Sequence, residues 1–87
     1  MKIYLSPLAE YKLTRLTEYL EDEWGTASKI KFLNKLTKKF EQISLQPESS
    51  SLTEDFDSVY WSVVTHQCSI YYRIQGDEVE IITITDN

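Results

Sequence analysis

CSIYYRIQGDEVEIITITDN, residues 68–87, carries the sheet-forming signal on which the fold turns. Its first part, CSIYYRI, and its later part, VEIITIT, are rich in β-branched and aromatic residues, which suit a pleated, half-buried surface. Between them Gln75-Gly76-Asp77-Glu78 reads as a tight turn, with Gly76 free to take positive φ. The stretch is therefore expected to be an antiparallel hairpin. Alternation puts Cys68, Ile70, Tyr72 and Ile74 on one face and Ser69, Tyr71 and Arg73 on the other. The first set is the more apolar and is expected to face a core. Tyr71 and Arg73 then lie on an open face, where Arg73 either pairs across the strands with an acid such as Glu80 or meets a partner.

Working outward, VYWSVVT (residues 59–65) is a further strand, joined to the hairpin by a turn at His66-Gln67. Val59, Trp61 and Val63 form its more apolar alternate set, so periodicity predicts their burial. Residues 46–58, QPESSSLTEDFDS, are polar and acidic and read as a loop, with one turn around Leu52–Phe56 anchored by an apolar residue. Before it lie two helices. Ser6-Pro7 is a start signal: serine caps, and proline suits the first helical position. Ala9, Leu13, Leu16, Leu20 and Trp24 recur at helical spacing, and Gly25 follows as a stop. Thr26 is positioned to cap a second helix whose apolar face is Ile30, Leu33, Leu36 (or Thr37), Phe40 and Ile43, with Pro47 beyond its end. So short a link predicts an antiparallel αα-hairpin. Residues 2–5, KIYL, are a short opening strand.

The order is β-α-α-β-β-β. It predicts one two-layer α+β domain over residues 1–87, with the helical hairpin packed on one face of a mostly antiparallel four-stranded sheet.

Composition narrows the function. Eighty-seven residues, 41% hydrophobic and 13% aromatic, supply one core and argue against disorder. The net charge of -5 disfavours direct nucleic-acid binding. The N-terminus resembles neither a signal peptide nor a membrane span, and the expected location is the cytoplasm. Cys68 is the only cysteine, which excludes an intrachain disulfide and fits a buried, inert thiol. His66 has no nucleophile or acid beside it in sequence, and acids 54, 55 and 57 lack calcium-loop spacing. No catalytic residue, metal or cofactor is expected. Lys29, Lys31, Lys35, Lys38 and Lys39 crowd one window, just after Glu18, Glu21, Asp22 and Glu23, and cross-helix pairing is expected between the two groups. Lys31, Lys35 and Lys38 fall within about 60° on the second helix. They form either a docking stripe for an acidic partner segment or a solvated face.

YLSPLAEYKLTRLTEYLEDEWG (residues 4–25), FLNKLTKKFEQISLQP (residues 32–47) and SIYYRIQGDEVEIITITDN (residues 69–87), in that order, resemble the RelE/ParE toxin superfamily of type II toxin–antitoxin systems. The first and last look like its ParE-type, plasmid-stabilisation branch. The resemblance implies a bacterial toxin neutralised by an antitoxin that wraps it. ParE-like members poison DNA gyrase; RelE-like members cut messenger RNA on the ribosome. On the RelE-like pattern, Trp61 and Val63 stand where paired lysines sit, and Ser69 stands where an arginine does. These exchanges remove the cations that would stabilise a transition-state phosphate. The resemblance therefore favours a toxin that acts by protein binding and is not an enzyme. The alternatives are a RelE-type mRNA interferase and a non-toxic antitoxin-binding module. It also places Trp61 on the open face, against the periodicity, and both placements stand. On the open face Trp61 and Tyr71, with Ile82 and Ile84 beside them, would form an apolar patch suited to a protein partner. Trp61, Ser69, Tyr71 and Arg73 are thus candidate contact residues, with Lys31, Lys35 and Lys38 a second group. Small domains with exposed sheet edges also commonly associate, so a homodimer is open. Where family members continue into a short basic tail this chain reads Asp86-Asn87, and the domain is expected to lack that tail.

Overall fold

The structure, a computed structural model, describes residues 1–86. Asn87, after which the basic tail of family members is expected to be missing, lies outside the described residues. The elements run β1 (Lys2–Leu5), α1 (Pro7–Trp24), α2 (Thr26–Leu45), β2 (Ser51–Leu52), β3 (Val59–Thr65), β4 (Cys68–Gln75) and β5 (Glu78–Asp86). They build one five-stranded sheet in the order β1-β5-β4-β3-β2, parallel between β1 and β5 and antiparallel elsewhere. The helical hairpin covers one face, as expected.

The fifth strand is the correction. β2 lies inside the stretch read as a loop, and its two residues pair with Tyr60 and Trp61 of β3. Two residues are too few to show alternation. Nor does an apolar anchor hold the following turn, since both Leu52 and Phe56 are exposed.

Ser6 ties the first helix to the sheet. Its Oγ accepts from the Ala9 amide at 3.0 Å as the helix cap and donates to the Ile82 carbonyl at 2.6 Å. Its own amide donates to the Ile81 carbonyl at 3.0 Å. That carbonyl of Ile82 belongs to a bulge: Tyr72 faces Ile81 and Tyr71 faces Thr83, so Ile82 is the extra residue of β5. One hydroxyl thus serves a helix end and a sheet irregularity. Ser6→Ala is expected to cost about 2 kcal/mol, because both the cap and the carbonyl's partner are lost. A lowered urea midpoint at unchanged slope would show it.

The same bulge resets which residues of β5 face inward. Val79 and Ile81 lie in the core in ordinary alternation, and the extra residue then brings Ile84 inward instead of Thr83. Ile84 was expected on the open face; it is buried. The rest of the core is Ala9, Phe32, Leu36, Ile43, Cys68, Ile70 and Tyr72. Tyr72 is fully buried, stacks on Tyr60 at 5.2 Å between ring centroids, and donates its hydroxyl to the Pro47 carbonyl at 2.8 Å. Burial raises its phenol pKa, so the ring stays neutral.

Two residues assigned to apolar helix faces are not in the core. Trp24 is 69% exposed, and Ile30 is also exposed. Phe32 occupies the interior in place of Ile30, in line with Leu36, Phe40 and Ile43 at spacings of four, four and three. Gly25, at φ 92°, is the sole link between the helices. It, rather than Thr26, precedes α2, and the Thr26 hydroxyl donates to Glu21 at 3.3 Å instead. Lys29 meets the same carboxylate at 3.5 Å, the cross-helix pairing that the charge pattern predicts.

Candidate functional site

Two surfaces stand out: the face of the sheet that the helices leave uncovered, and a groove beside α1.

Register places the open face residue by residue. One row runs Ser51, Trp61, Tyr71, Thr83, and its neighbours run Val59, Arg73, Glu80, Tyr4 and Val63, Ser69, Thr85. Trp61 therefore lies on the open face, 39% exposed and opposite Tyr71. The resemblance placed it correctly and the periodicity did not. Tyr60 and Val64, the less apolar set with Ser62, pack against the core instead. Val63, at 46% exposure, extends the apolar surface beyond Trp61. Ser69 shares the face by register, but only 3% of it is exposed, so its side chain is not presented to a partner. Ser69 thus leaves a closed, uncharged surface at that point.

Arg73 stands opposite Glu80, and its Nε donates to Glu80 Oε1 at 2.7 Å, the cross-strand pair expected from sequence. The Gln75 amide, turned so that its nitrogen donates to the Tyr4 hydroxyl at 3.1 Å, accepts from Arg73 Nε and Nη2 at 2.9 and 3.0 Å. The guanidinium is fixed from two sides, and its charge is answered by a carboxylate on the next strand. Such a group holds strand positions and borders a contact surface. Its Nη1 carries none of these bonds, and the side chain is about half exposed.

The groove was not foreseen. It measures about 810 Å³ and is walled by Tyr11, Arg15, Tyr19 and Trp24 of α1 and by Ile84–Asp86 at the end of β5. Phe32 and Cys68 lie at its base. Tyr11, Arg15 and Tyr19 follow each other at four-residue spacing on the helix flank, and Arg15 donates to the Tyr11 hydroxyl at 3.1 Å while lying 5.8 Å from its ring centroid. Tyr11, Tyr19 and Trp24 are all exposed. Aromatic side chains left in water along a concave wall match the composition of interface hot spots. The available signal was that Tyr11-Arg15-Tyr19 spacing on an otherwise polar flank.

Burial, and secondarily the Asp86 carboxylate, push the Cys68 thiol up to about 11. The native state then holds this proton more tightly than the unfolded chain, whose thiol titrates near 9.0. The resulting stability is present in full below that value and is lost as pH rises through about 11. At pH 8 the thiol is expected to resist alkylation until denaturant is added, and denaturation midpoints are expected to fall across the window above 9.

Lys31, Lys35 and Lys38 are not part of either surface. They lie on the side of α2 away from the buried Phe32, Leu36 and Ile43. Among the described residues no three His, Cys, Asp or Glu side chains are placed to hold a metal, and no helix is long and apolar enough to cross a membrane.

Comparison with known proteins now adds to this geometry. No curated protein matches the chain by sequence. Among solved structures, a chromosomal ParDE toxin–antitoxin system from P. aeruginosa superposes with a TM-score of 0.81 at 14% identity, over 99% of this chain and 95% of that one. A YoeB/ParE toxin from Agrobacterium tumefaciens gives 0.71 at 14% identity, covering 100% and 99%. The heterotetrameric YoeB–YefM toxin–antitoxin complex from Staphylococcus aureus gives 0.67 at 14%, covering 98% and 94%. At that identity these likenesses establish the fold. The family model for the ParE toxin of the type II toxin–antitoxin system parDE matches residues 3–86. The chain belongs to the ParE toxin family.

Proposed function

We propose that the chain is a toxin that acts by binding a protein, with DNA gyrase the first target to test, and that a cognate antitoxin silences it by docking in the α1–β5 groove. The observation that carries the first half is the centre of the open face. Trp61, Tyr71 and Val63 offer apolar surface there, and Arg73 is already engaged by Glu80. A surface of this kind gains by excluding water against another protein. Among the described residues the centre of that face presents no cation other than Arg73, whereas RNA cleavage by the 2′-hydroxyl draws on cations that stabilise the transition-state phosphate. The groove supports the second half. It is long, concave and lined with exposed aromatics, which suits the apolar side of a partner helix. The antitoxin partners named in the ParDE and YoeB–YefM structures make an antitoxin the expected occupant.

Expression of the full-length gene without its neighbour tests the proposal. Growth arrest with intact transcripts and a DNA-damage response is expected. Transcript cleavage would establish the interferase alternative. Absence of any growth effect, with antitoxin binding retained, would establish a non-toxic binding module.

A further inference from the structure

The outer side of α2 and the loop between β2 and β3 carry complementary chemistry away from both the open face and the groove. Ala27, Ile30 and Asn34 line a shallow depression of about 490 Å³, together with Lys31, Lys35 and Lys38. The lysines follow each other at spacings of four and three, so their like charges repel along the helix. Among the described residues no carboxylate lies within ion-pair distance of any of them. Acids are in excess in this chain, which carries fourteen against nine Lys and Arg. Their absence from this stripe is therefore a matter of placement.

Three of those acids lie on the loop. Glu54, Asp55 and Asp57 surround Phe56, which is 67% exposed. The loop is braced. The Thr53 amide donates to the Val59 carbonyl at 2.7 Å across its base, and the Asp55 amide donates to Thr53 Oγ1 at 2.9 Å. Ser58, at φ 59°, takes the left-handed conformation just before the chain enters β3. A phenyl ring is thus held in water on a closed loop between carboxylates.

We infer that the chain binds a second copy of itself through these two features. Phe56 of one copy seats on Ala27 and Ile30 of the other, and Glu54, Asp55 and Asp57 answer Lys31, Lys35 and Lys38. Both halves of the contact are on this chain, matched in charge and each with an apolar centre, which favours a second copy over a foreign acidic partner. The contact joins unlike surfaces. Reciprocal use closes a dimer, and one-sided use extends a chain. It shares no residue with the open face or the groove, and it stands whether or not the proposed target and antitoxin sites are correct.

Sedimentation velocity on the purified full chain tests this. Concentration-dependent association is expected at about 50 mM salt and is expected to weaken at least about tenfold at about 500 mM, since screened charges carry much of it. Lys31→Glu with Lys35→Glu removes the dock, and Phe56→Ser with Asp55→Lys removes the loop. Each variant alone is expected to be monomeric with unchanged circular dichroism. Their equimolar mixture is expected to re-form a dimer, because the intact loop of one meets the intact dock of the other. A wild-type chain that is monomeric throughout, variants that associate like wild type, or a mixture that stays monomeric would each overturn the inference.

Discussion

Tyr72→Ala is expected to unfold most of the protein. Tyr72 is the largest fully buried side chain, and it is central in two ways: its ring stacks on Tyr60, and its hydroxyl satisfies the Pro47 carbonyl just past the end of α2. Truncating a buried aromatic side chain to alanine costs about 3–5 kcal/mol. A domain of this length has roughly 4–13 kcal/mol in total, from about 0.05–0.15 kcal/mol per residue. Small two-layer domains sit toward the lower part of that span, because they bury a smaller share of their surface. Tyr72→Phe separates the two contributions. It keeps the stack and leaves the Pro47 carbonyl without its donor, at about 1–3 kcal/mol. Urea denaturation followed by circular dichroism should rank wild type above Tyr72→Phe and Tyr72→Phe well above Tyr72→Ala. A Phe variant as stable as wild type would mean that water replaces the hydroxyl at Pro47.

The same residue shows why much of the fold was legible. Tyr72 sits in a strand whose alternation is unbroken from Cys68 to Ile74, so its face followed from counting by two. The helices were legible for similar reasons, with a capped start at Ser6 and a glycine at the only break. What escaped was anything that interrupts a period or borrows from the surface. The Ile82 bulge has no glycine or proline to announce it, and it turned Ile84 inward. The two residues of β2 were too short to register. Trp61 and Val63 misled because periodicity reads any apolar set as buried, although a face that meets a partner is apolar as well. Ile30 and Phe32 were both compatible with helical spacing; the rest of the chain decides between them by what packs on α2.

That last difficulty also explains the groove. Aromatics on a helix flank count as core by composition and as surface by phase, and Tyr11 and Tyr19 belong to neither tally. In the fold they become one wall of a cleft whose other wall is the end of β5, about sixty-five residues away in sequence. No local pattern reports that juxtaposition. The open face was legible only in part: alternation in β4 put Tyr71 and Arg73 there, while Trp61 stood between two placements and Ile84 was expected there until the β5 bulge turned it inward.

If the two surfaces have the separate tasks proposed for them, mutations at each should divide the phenotype. Tyr19→Ala combined with Trp24→Ala is expected to weaken antitoxin binding at least a hundredfold, since each aromatic anchor in a concave interface carries about 2 kcal/mol or more. Both side chains are exposed in the free protein, so fold stability is expected to change little. This variant should arrest growth even when the antitoxin is co-expressed. Trp61→Ala, on the open face, should do the reverse: antitoxin affinity stays within a few-fold of wild type and growth arrest is lost. Isothermal titration with the purified antitoxin and paired growth curves read both arms. The distinction rests on geometry, because Trp61 lies on the sheet face away from the helices while Tyr19 and Trp24 lie on α1, in the wall of the groove. A groove variant that binds antitoxin like wild type would move the antitoxin to another surface. A Trp61 variant that loses antitoxin binding and toxicity together would mean that one surface serves both partners, with neutralisation by direct competition for the target site.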